Sequence, residues 1–388
     1  MGNIISCTFC GKSSLPDYPE TTTLRQSFSP PYSAQIFPLL KEKNQASFST
    51  QISFKTTDIS LEDFNLIKLL GCGASGRIFL VEKKTSGRHY ALKVMKKQEI
   101  SKKKHQEYAW NELKILQKNE CPFICNLRYS FQSEDFLYLV MDFLNGGDLF
   151  FHLRKDIFFS EERTRFYCCE IICALEYLHE NGVIYRDLKP ENVLFDSKGH
   201  VRLVDFGLAK CIEASGSSNS LVGTPEYVAP EVLLKKNYDF SVDFWNLGCV
   251  MFEMLIGRPP FLGKNLHEVL KNIVNKEIEL NDDISNEVNE VLKVLLEKDP
   301  KKRVKAKDLK KMAYFQGVDW DVMKKGEGHP PFIPKIENDL DLRYFEKRYV
   351  ENEVVWNEGD EASSQNLYEY YLNFSYKNRM ESVGEKGN

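Results

Sequence analysis

Apolar and polar positions divide the chain into unlike stretches. From Thr8 to about Thr57, Ser, Thr, Gln and Pro dominate without sustained periodicity, which predicts a flexible extension. Its one apolar island is Ile36-Phe37-Pro38-Leu39-Leu40. Order is expected from about Leu61. Phe64 to Leu70 is a short strand-like run, followed by a glycine-rich loop and a second run, Ile78 to Val81. Tyr90 to Val94 is β-rich, Gln106 to Lys118 has helical character, and Phe136 to Met141 reads as a buried strand. Asp142-Phe143-Leu144-Asn145-Gly146-Gly147 is rich in breakers and reads as a hinge. Helical patterns follow near Asp148 to Arg154, Ser160 to Glu180, Ser241 to Ile256, Leu266 to Lys276 and Asn286 to Glu297.

Composition narrows this picture only modestly. The 388 residues suffice for about two domain-sized units, or one two-lobed domain with extensions. With 42% hydrophobic and 28% charged residues the chain reads as soluble and globular. A net charge of −4 gives no whole-chain attraction to nucleic acid or anionic lipid. The 10 cysteines follow no disulfide-scaffold spacing, so free thiols in a reducing compartment are expected. No apolar run approaches the ~18 residues a transmembrane helix needs. The start is different: Met1-Gly2-Asn3-Ile4-Ile5-Ser6-Cys7 fits M-G-x-x-x-[ST], with a myristoyl acceptor at Gly2. Cys7 is placed for a second, palmitoyl chain, which would turn marginal membrane binding into stable attachment. The expected location is the cytoplasmic face of a membrane.

The candidate chemistry begins at Gly71-Cys72-Gly73-Ala74-Ser75-Gly76. Glycines between two strands let backbone N–H groups approach phosphates, and the following strand argues against a dinucleotide-binding turn. Lys93, within the Tyr90 to Val94 run, is spaced to hold α/β-phosphates, and Glu112 is the candidate carboxylate partner. Ile78, Ala91 and Leu194 would supply apolar walls for a base, and hinge backbone groups would pair with it. In Tyr185-Arg186-Asp187-Leu188-Lys189-Pro190-Glu191-Asn192, Asp187 is placed to accept a hydroxyl proton and Lys189 to neutralise a transferring phosphoryl group. Asn192, with Asp205 of Asp205-Phe206-Gly207, offers hard oxygen ligands suited to Mg²⁺. The serine-rich loop from Leu208 to Val222 could be ordered by a phosphate pairing with Arg186, with Lys210 nearby. Asp243 could brace the catalytic loop, and Arg303 could pair with Glu231.

These residues match the catalytic template H-R-D-L-x-x-x-N and D-F-G, with Tyr185 at the first position. Over about 64–376 the chain resembles the protein kinases, and within them the AGC group. The Tyr185-Arg186-Asp187 form, Gly223-Thr224-Pro225-Glu226-Tyr227, and three tail segments carry the group-level likeness. Those segments are Pro331-Phe332-Ile333-Pro334, Arg343-Tyr344-Phe345 and Tyr371-Leu372-Asn373-Phe374-Ser375-Tyr376.

The resemblance implies an α+β, two-lobed kinase fold. Its N-lobe, at about 61–144, is small and mostly antiparallel β with one key helix. The C-lobe, at about 145–315, is larger and mostly helical. Residues 1–60 would be the acylated extension and 316–388 the AGC tail. Implied too are ATP and Mg²⁺, with Leu70, Gly71, Gly73, Gly76, Asp142 and Leu144 added to the nucleotide site. Ser220 matches the activation-loop phosphosite and Ser375 the hydrophobic-motif site, which calls for an upstream kinase. Asp148, Glu176, Glu191 and Glu253 would read basic residues before a substrate Ser or Thr, and Lys189 with Thr224 matches the Ser/Thr-specific form. Carboxylates in a cleft also hold guanidinium groups on physical grounds.

Several positions depart from the family pattern. Ser75 replaces the aromatic at the glycine-loop tip, Tyr108 stands where many members have histidine, and Val304-Lys305 follows Arg303. The rival reading is a membrane-tethered pseudokinase scaffold, and the filled catalytic positions argue against it.

Overall fold

The structure is a computed structural model that describes residues 59–73, 76–100, 103–212, 218, 220, 222–280, 282–351 and 370–378. Gly2, Cys7 and Ser75 lie outside the described residues.

The first half of the fold is a sheet. Strands β1 (Phe64–Gly73), β2 (Gly76–Lys83) and β3 (His89–Lys96) lead to helix α1 (Lys103–Gln117), then to β4 (Leu127–Gln132) and β5 (Phe136–Asp142). All neighbours pair antiparallel, in the order β1-β2-β3-β5-β4, with β10 (Tyr376–Lys377) of the tail added beside β4. β1 carries register irregularities between Leu66 and Lys68 and between Leu69 and Gly71. Such bulges bend a strand and re-aim its side chains. β1 therefore runs past the expected end at Leu70, and Gly73 faces Gly76 across the loop. Strand β4 was not expected from the sequence, although Leu127, Tyr129 and Phe131 alternate with polar residues.

The second half is helical. Helices α2 (Leu149–Asp156) and α3 (Glu161–Glu180) are capped by Asp148 and Ser160, whose side chains accept the Phe151 and Arg163 N–H groups. Short strands β6 (Val183–Ile184), β7 (Val193–Phe195), β8 (Val201–Leu203) and β9 (Lys210–Cys211) flank the catalytic stretch; β6 pairs with β9 and β7 with β8. Beyond them come α4 (Pro230–Leu233), α5 (Ser241–Ile256), α6 (Leu266–Asn275), α7 (Asn286–Leu295), α8 (Ala306–Leu309), α9 (Trp320–Lys324) and α10 (Lys347–Val350). α5 is apolar almost all round, and every residue from Val242 to Leu255 is buried. An all-round apolar helix belongs in the middle of a lobe, and Gly257 ends it in the left-handed conformation at φ 80°.

One core runs from α1 and the inner face of the sheet into the helical lobe. A second, aromatic-rich cluster lies on the small lobe and includes Phe64, Tyr90, Tyr129, Phe131 and Tyr138. The fold is the two-lobed α+β arrangement that the resemblance implies. No helix among the described residues is long and apolar enough to cross a membrane.

Candidate active site

The hinge between the lobes is fastened to the catalytic half by backbone. Gly146 N–H donates to the Phe195 carbonyl at 3.1 Å, and Phe195 N–H to the Gly147 carbonyl at 2.8 Å. A Cβ at Gly146 would lie 2.5 Å from the Phe195 carbonyl oxygen, so only glycine fits. Asp148 bridges to Leu194, which brings the expected base wall Leu194 beside the hinge. Leu70 and Leu144 are buried, and Ile78, Ala91 and Leu194 are half-buried. Asp142 turns its carboxylate to β4, where Arg128 Nε donates at 2.5 Å and Asn126 Nδ2 at 2.9 Å. Its side chain is thus structural, and its backbone N–H donates to the Asn126 carbonyl at 3.1 Å, while its carbonyl takes a long contact of 3.7 Å from Cys125 Sγ.

Lys93 projects from β3 into the space between the lobes. Its Nζ donates to Glu112 Oε1 at 2.6 Å and Oε2 at 2.8 Å, and to Asp205 Oδ1 at 3.0 Å. Lys93 and Glu112 are both buried. Burial alone would lower the lysine, but the Asp205 and Glu112 carboxylates more than reverse this and hold it above its usual range. Burial raises Glu112, with Lys93 opposing. The pair is ionic, held by two short bonds, and it closes α1 onto the sheet.

The catalytic loop is strained and braced. Arg186 (φ 69°) and Asp205 (φ 55°) adopt left-handed backbone, which costs a non-glycine residue on the order of 1–3 kcal/mol. Asp243, fully buried on α5, accepts the Tyr185 N–H at 2.9 Å and the Arg186 N–H at 2.8 Å, and His179 Nε2 lies 2.7 Å from the same carboxylate. These bonds hold the loop where Asp187 enters the cleft.

Asp187, Lys189, Asn192 and Thr224 form one connected group. Asn192 Nδ2 donates to Asp187 Oδ2 at 2.8 Å, and Lys189 Nζ lies 3.1 Å from the same oxygen. Thr224 Oγ1 accepts from Lys189 at 2.9 Å and donates to Asp187 Oδ1 at 3.0 Å. Burial raises the Asp187 carboxyl, and Lys189 opposes it. Because Asn192 spends its amide N–H on Asp187, its Oδ1 remains for a cation, and Asp205 keeps a partly exposed carboxylate. No cluster of three or more His, Cys, Asp or Glu side chains that could cage an ion occurs among the described residues. One carboxylate and one amide oxygen fit Mg²⁺, which takes few protein ligands and completes its shell with phosphate and water.

Acids gather beside this group. Asp148, Glu191, Glu226 and Glu253 influence one another electrostatically. Burial pushes Asp148 and Glu253 up to about 7 each, although the Phe151 N–H and the Tyr227 hydroxyl oppose this. Buried oxygens of Glu191 and Glu226 have no partner within the protein, as suits a site awaiting a cation. Glu226 was not singled out from the sequence, although it lies within Gly223-Thr224-Pro225-Glu226-Tyr227. Glu176 is a correction. Its carboxylate pairs with Lys310 and with Lys324, the latter at 3.2 Å, so its charge is satisfied among C-terminal helices and it does not join this cluster.

The activation segment meets the loop at Arg186. Arg186 Nη1 donates to Ser220 Oγ at 2.7 Å and to the Tyr238 hydroxyl at 3.0 Å, while its Nε holds the Leu208 carbonyl. Lys210 Nζ donates to Ser218 Oγ at 3.2 Å. Ser218 belongs to the serine-rich loop, whereas Tyr238, which bridges to it, carries no signal in the sequence. Tyr108 of α1 is close enough for Arg186 to oppose the rise that burial imposes on its phenol. Farther on, Arg303 clasps Glu231 with bonds of 2.6 and 3.0 Å in full burial.

The tail reaches both lobes. Phe332 packs on His152 and under Arg163, Phe345 stacks on Phe143 of the hinge at 5.8 Å, and α10 contacts β1. Tyr371 and Phe374 are fully buried against Trp110 of α1, and Ser130 Oγ and Gln132 Nε2 donate to their carbonyls. Ser375 beside them is exposed.

Comparison with known proteins agrees with this arrangement. The protein kinase domain family matches residues 64–315. The chain belongs to the protein kinases. Among its relatives are the serine/threonine-protein kinases Sgk1 of Fundulus heteroclitus, Bos taurus and Mus musculus. Each is 43% identical over 333 residues, covering 82% of this chain and 77% of the relative. This kinase is therefore a serine/threonine protein kinase of the AGC group.

Proposed function

We propose that this kinase phosphorylates Ser or Thr preceded by arginine, that phosphates on Ser220 and Ser375 switch it on, and that acylation at Gly2 tethers it to a membrane. The observation that carries the substrate reading is the buried acidic cluster with unpartnered oxygens on Glu191 and Glu226. Buried carboxylates lacking a partner are costly, and a guanidinium supplies the missing bidentate bonds.

In the proposed reaction Lys93 holds the α/β-phosphates of ATP, and Leu70, Ile78, Ala91, Leu144 and Leu194 enclose the base. Gly71, Gly73 and Gly76 leave room for the phosphates. Asn192 and Asp205 would hold Mg²⁺, which would supply positive charge to offset that of the phosphates. Asp187 orients the substrate hydroxyl and accepts its proton. Lys189, already bound to Asp187 and Thr224, moves little to neutralise the transferring group. Catalysis is then mostly positioning and electrostatics.

For regulation, Arg186 donates to Ser220 already. A phosphate there would exchange a neutral hydroxyl contact for a charge-assisted one. Because Asp187 follows Arg186 directly, that phosphate would stiffen the loop that carries the base.

A peptide library offered to the Ser220-phosphorylated enzyme tests the substrate reading. Arginine should be selected three residues before the acceptor, and a library with no basic preference would contradict it.

A further inference from the structure

The turn between α2 and α3 carries a feature that phosphoryl transfer does not use. Ile157 follows α2 with φ 68° and ψ −54°. A β-branched residue at positive φ with negative ψ is strained, and glycine is the residue that adopts it freely. The main chain is held there from two sides. Ile157 N–H donates to the Leu153 carbonyl at 2.8 Å, and Phe159 N–H to the Met254 carbonyl at 2.6 Å. Gly257 permits the close approach, since a Cβ there would lie 2.5 Å from the Ile157 carbonyl oxygen. With the backbone fixed, Phe159 is buried, while Ile157 and Phe158 are 62% and 59% exposed. Two adjacent large apolar side chains therefore stand in water on a rigid turn. Strain enforced by the surroundings, at residues with little part in packing, directs attention to their exposed side.

The charge nearby selects the occupant. Arg154 and Lys155 are exposed on the last turn of α2. Asp156 is matched by Arg163 at 2.7 Å, and the Glu161 carboxylate is occupied by the Ser285 N–H and hydroxyl. Glu162 is the exposed acid on the next turn. Two cations behind two apolar tips suit an anionic bilayer: the tips enter the acyl boundary and the cations stay among the headgroups. We propose that Ile157 and Phe158 form a membrane-insertion tip that seats the large lobe on an anionic lipid surface, with Arg154 and Lys155 against the headgroups. This deepens the membrane-tethered reading, and the two are separable because the tip needs no acyl chain.

The test uses full-length Gly2→Ala protein and phosphatidylcholine vesicles with and without phosphatidylserine. Gly2→Ala protein should co-sediment with the phosphatidylserine vesicles only. Adding Ile157→Gly and Phe158→Ser should weaken that binding about tenfold or more, from the apolar area withdrawn. Arg154→Gln with Lys155→Gln should remove the dependence on phosphatidylserine. Ile157→Gly alone should keep or raise the melting temperature and leave activity on a soluble peptide unchanged, so misfolding cannot mimic the result. Unchanged vesicle binding in the tip variants, or none by Gly2→Ala protein, would overturn the proposal. Self-association lost with Phe158→Ser, with no vesicle binding, would assign the turn to a protein contact and also overturn it. Acylation stands or falls separately, on an intact-mass shift at Gly2 of the wild-type chain.

Discussion

Asp187 holds three partners at once: Lys189, Asn192 and Thr224. A buried carboxylate with a neighbouring cation is poised to take a proton without losing its geometry. Its carboxyl is raised by burial, so the acid limb of kcat should lie above the usual carboxylate range. Asp148 and Glu253 add a second pH effect. Both sit at about 7, so they lose charge as pH falls through neutrality, and bound arginine is then less well held. KM for an Arg-x-x-Ser peptide should rise on going from pH 8 to pH 6, while KM for the matching peptide without arginine should hardly move. Parallel changes in both peptides would refute a charge-reading role for these acids. Asp187, Lys189 and Asn192 could be nominated together because they lie within one short stretch of sequence. Glu176 misled because a carboxylate on a helix says nothing of which lysines fold against it, here Lys310 and Lys324. Tyr238 left no signal, since its role depends on a bridge to Ser218 twenty residues away.

Among the elements, α1 touches three separate parts of the site at once. Its Glu112 grips Lys93, Tyr108 lies near Arg186, and Trp110 stacks on Tyr371 at 5.8 Å. Its position therefore couples Lys93, Arg186 and the tail. Tyr371→Ala with Phe374→Ala would remove the two buried anchors. Amide exchange in β4 should then accelerate, and activity should drop about tenfold, a loss of roughly 1.4 kcal/mol in transition-state stabilisation. Unchanged exchange with unchanged activity would mean that tail docking does not support α1. Helices such as α3 and α5 were readable from apolar pattern and caps, to within a residue or two. β4 carries only a short period-two signal, Leu127, Tyr129 and Phe131 alternating with Arg128, Ser130 and Gln132. β10 could not be found locally. Two residues become a strand only because Ser130 and Tyr129 are there to pair with them.

At the scale of the molecule, the parts form one connected arrangement. The Lys93–Glu112 pair is made, Phe206 is buried, and Arg186 already grips the activation segment through Ser220. The tail fastens one lobe to the other through Phe332, Phe345 and Tyr371. Family likeness made this architecture foreseeable, whereas the path of the tail over His152 and Phe143 depended on packing that no linear pattern displays. In the proposed reaction this assembly makes one carboxylate, Asp187, the base for phosphoryl transfer to a hydroxyl. Transfer of labelled γ-phosphate from ATP to an Arg-x-x-Ser peptide should fall by about 10²- to 10⁴-fold in Asp187→Ala, with the melting temperature nearly kept. Equal transfer by the wild-type and Asp187→Ala proteins would contradict it.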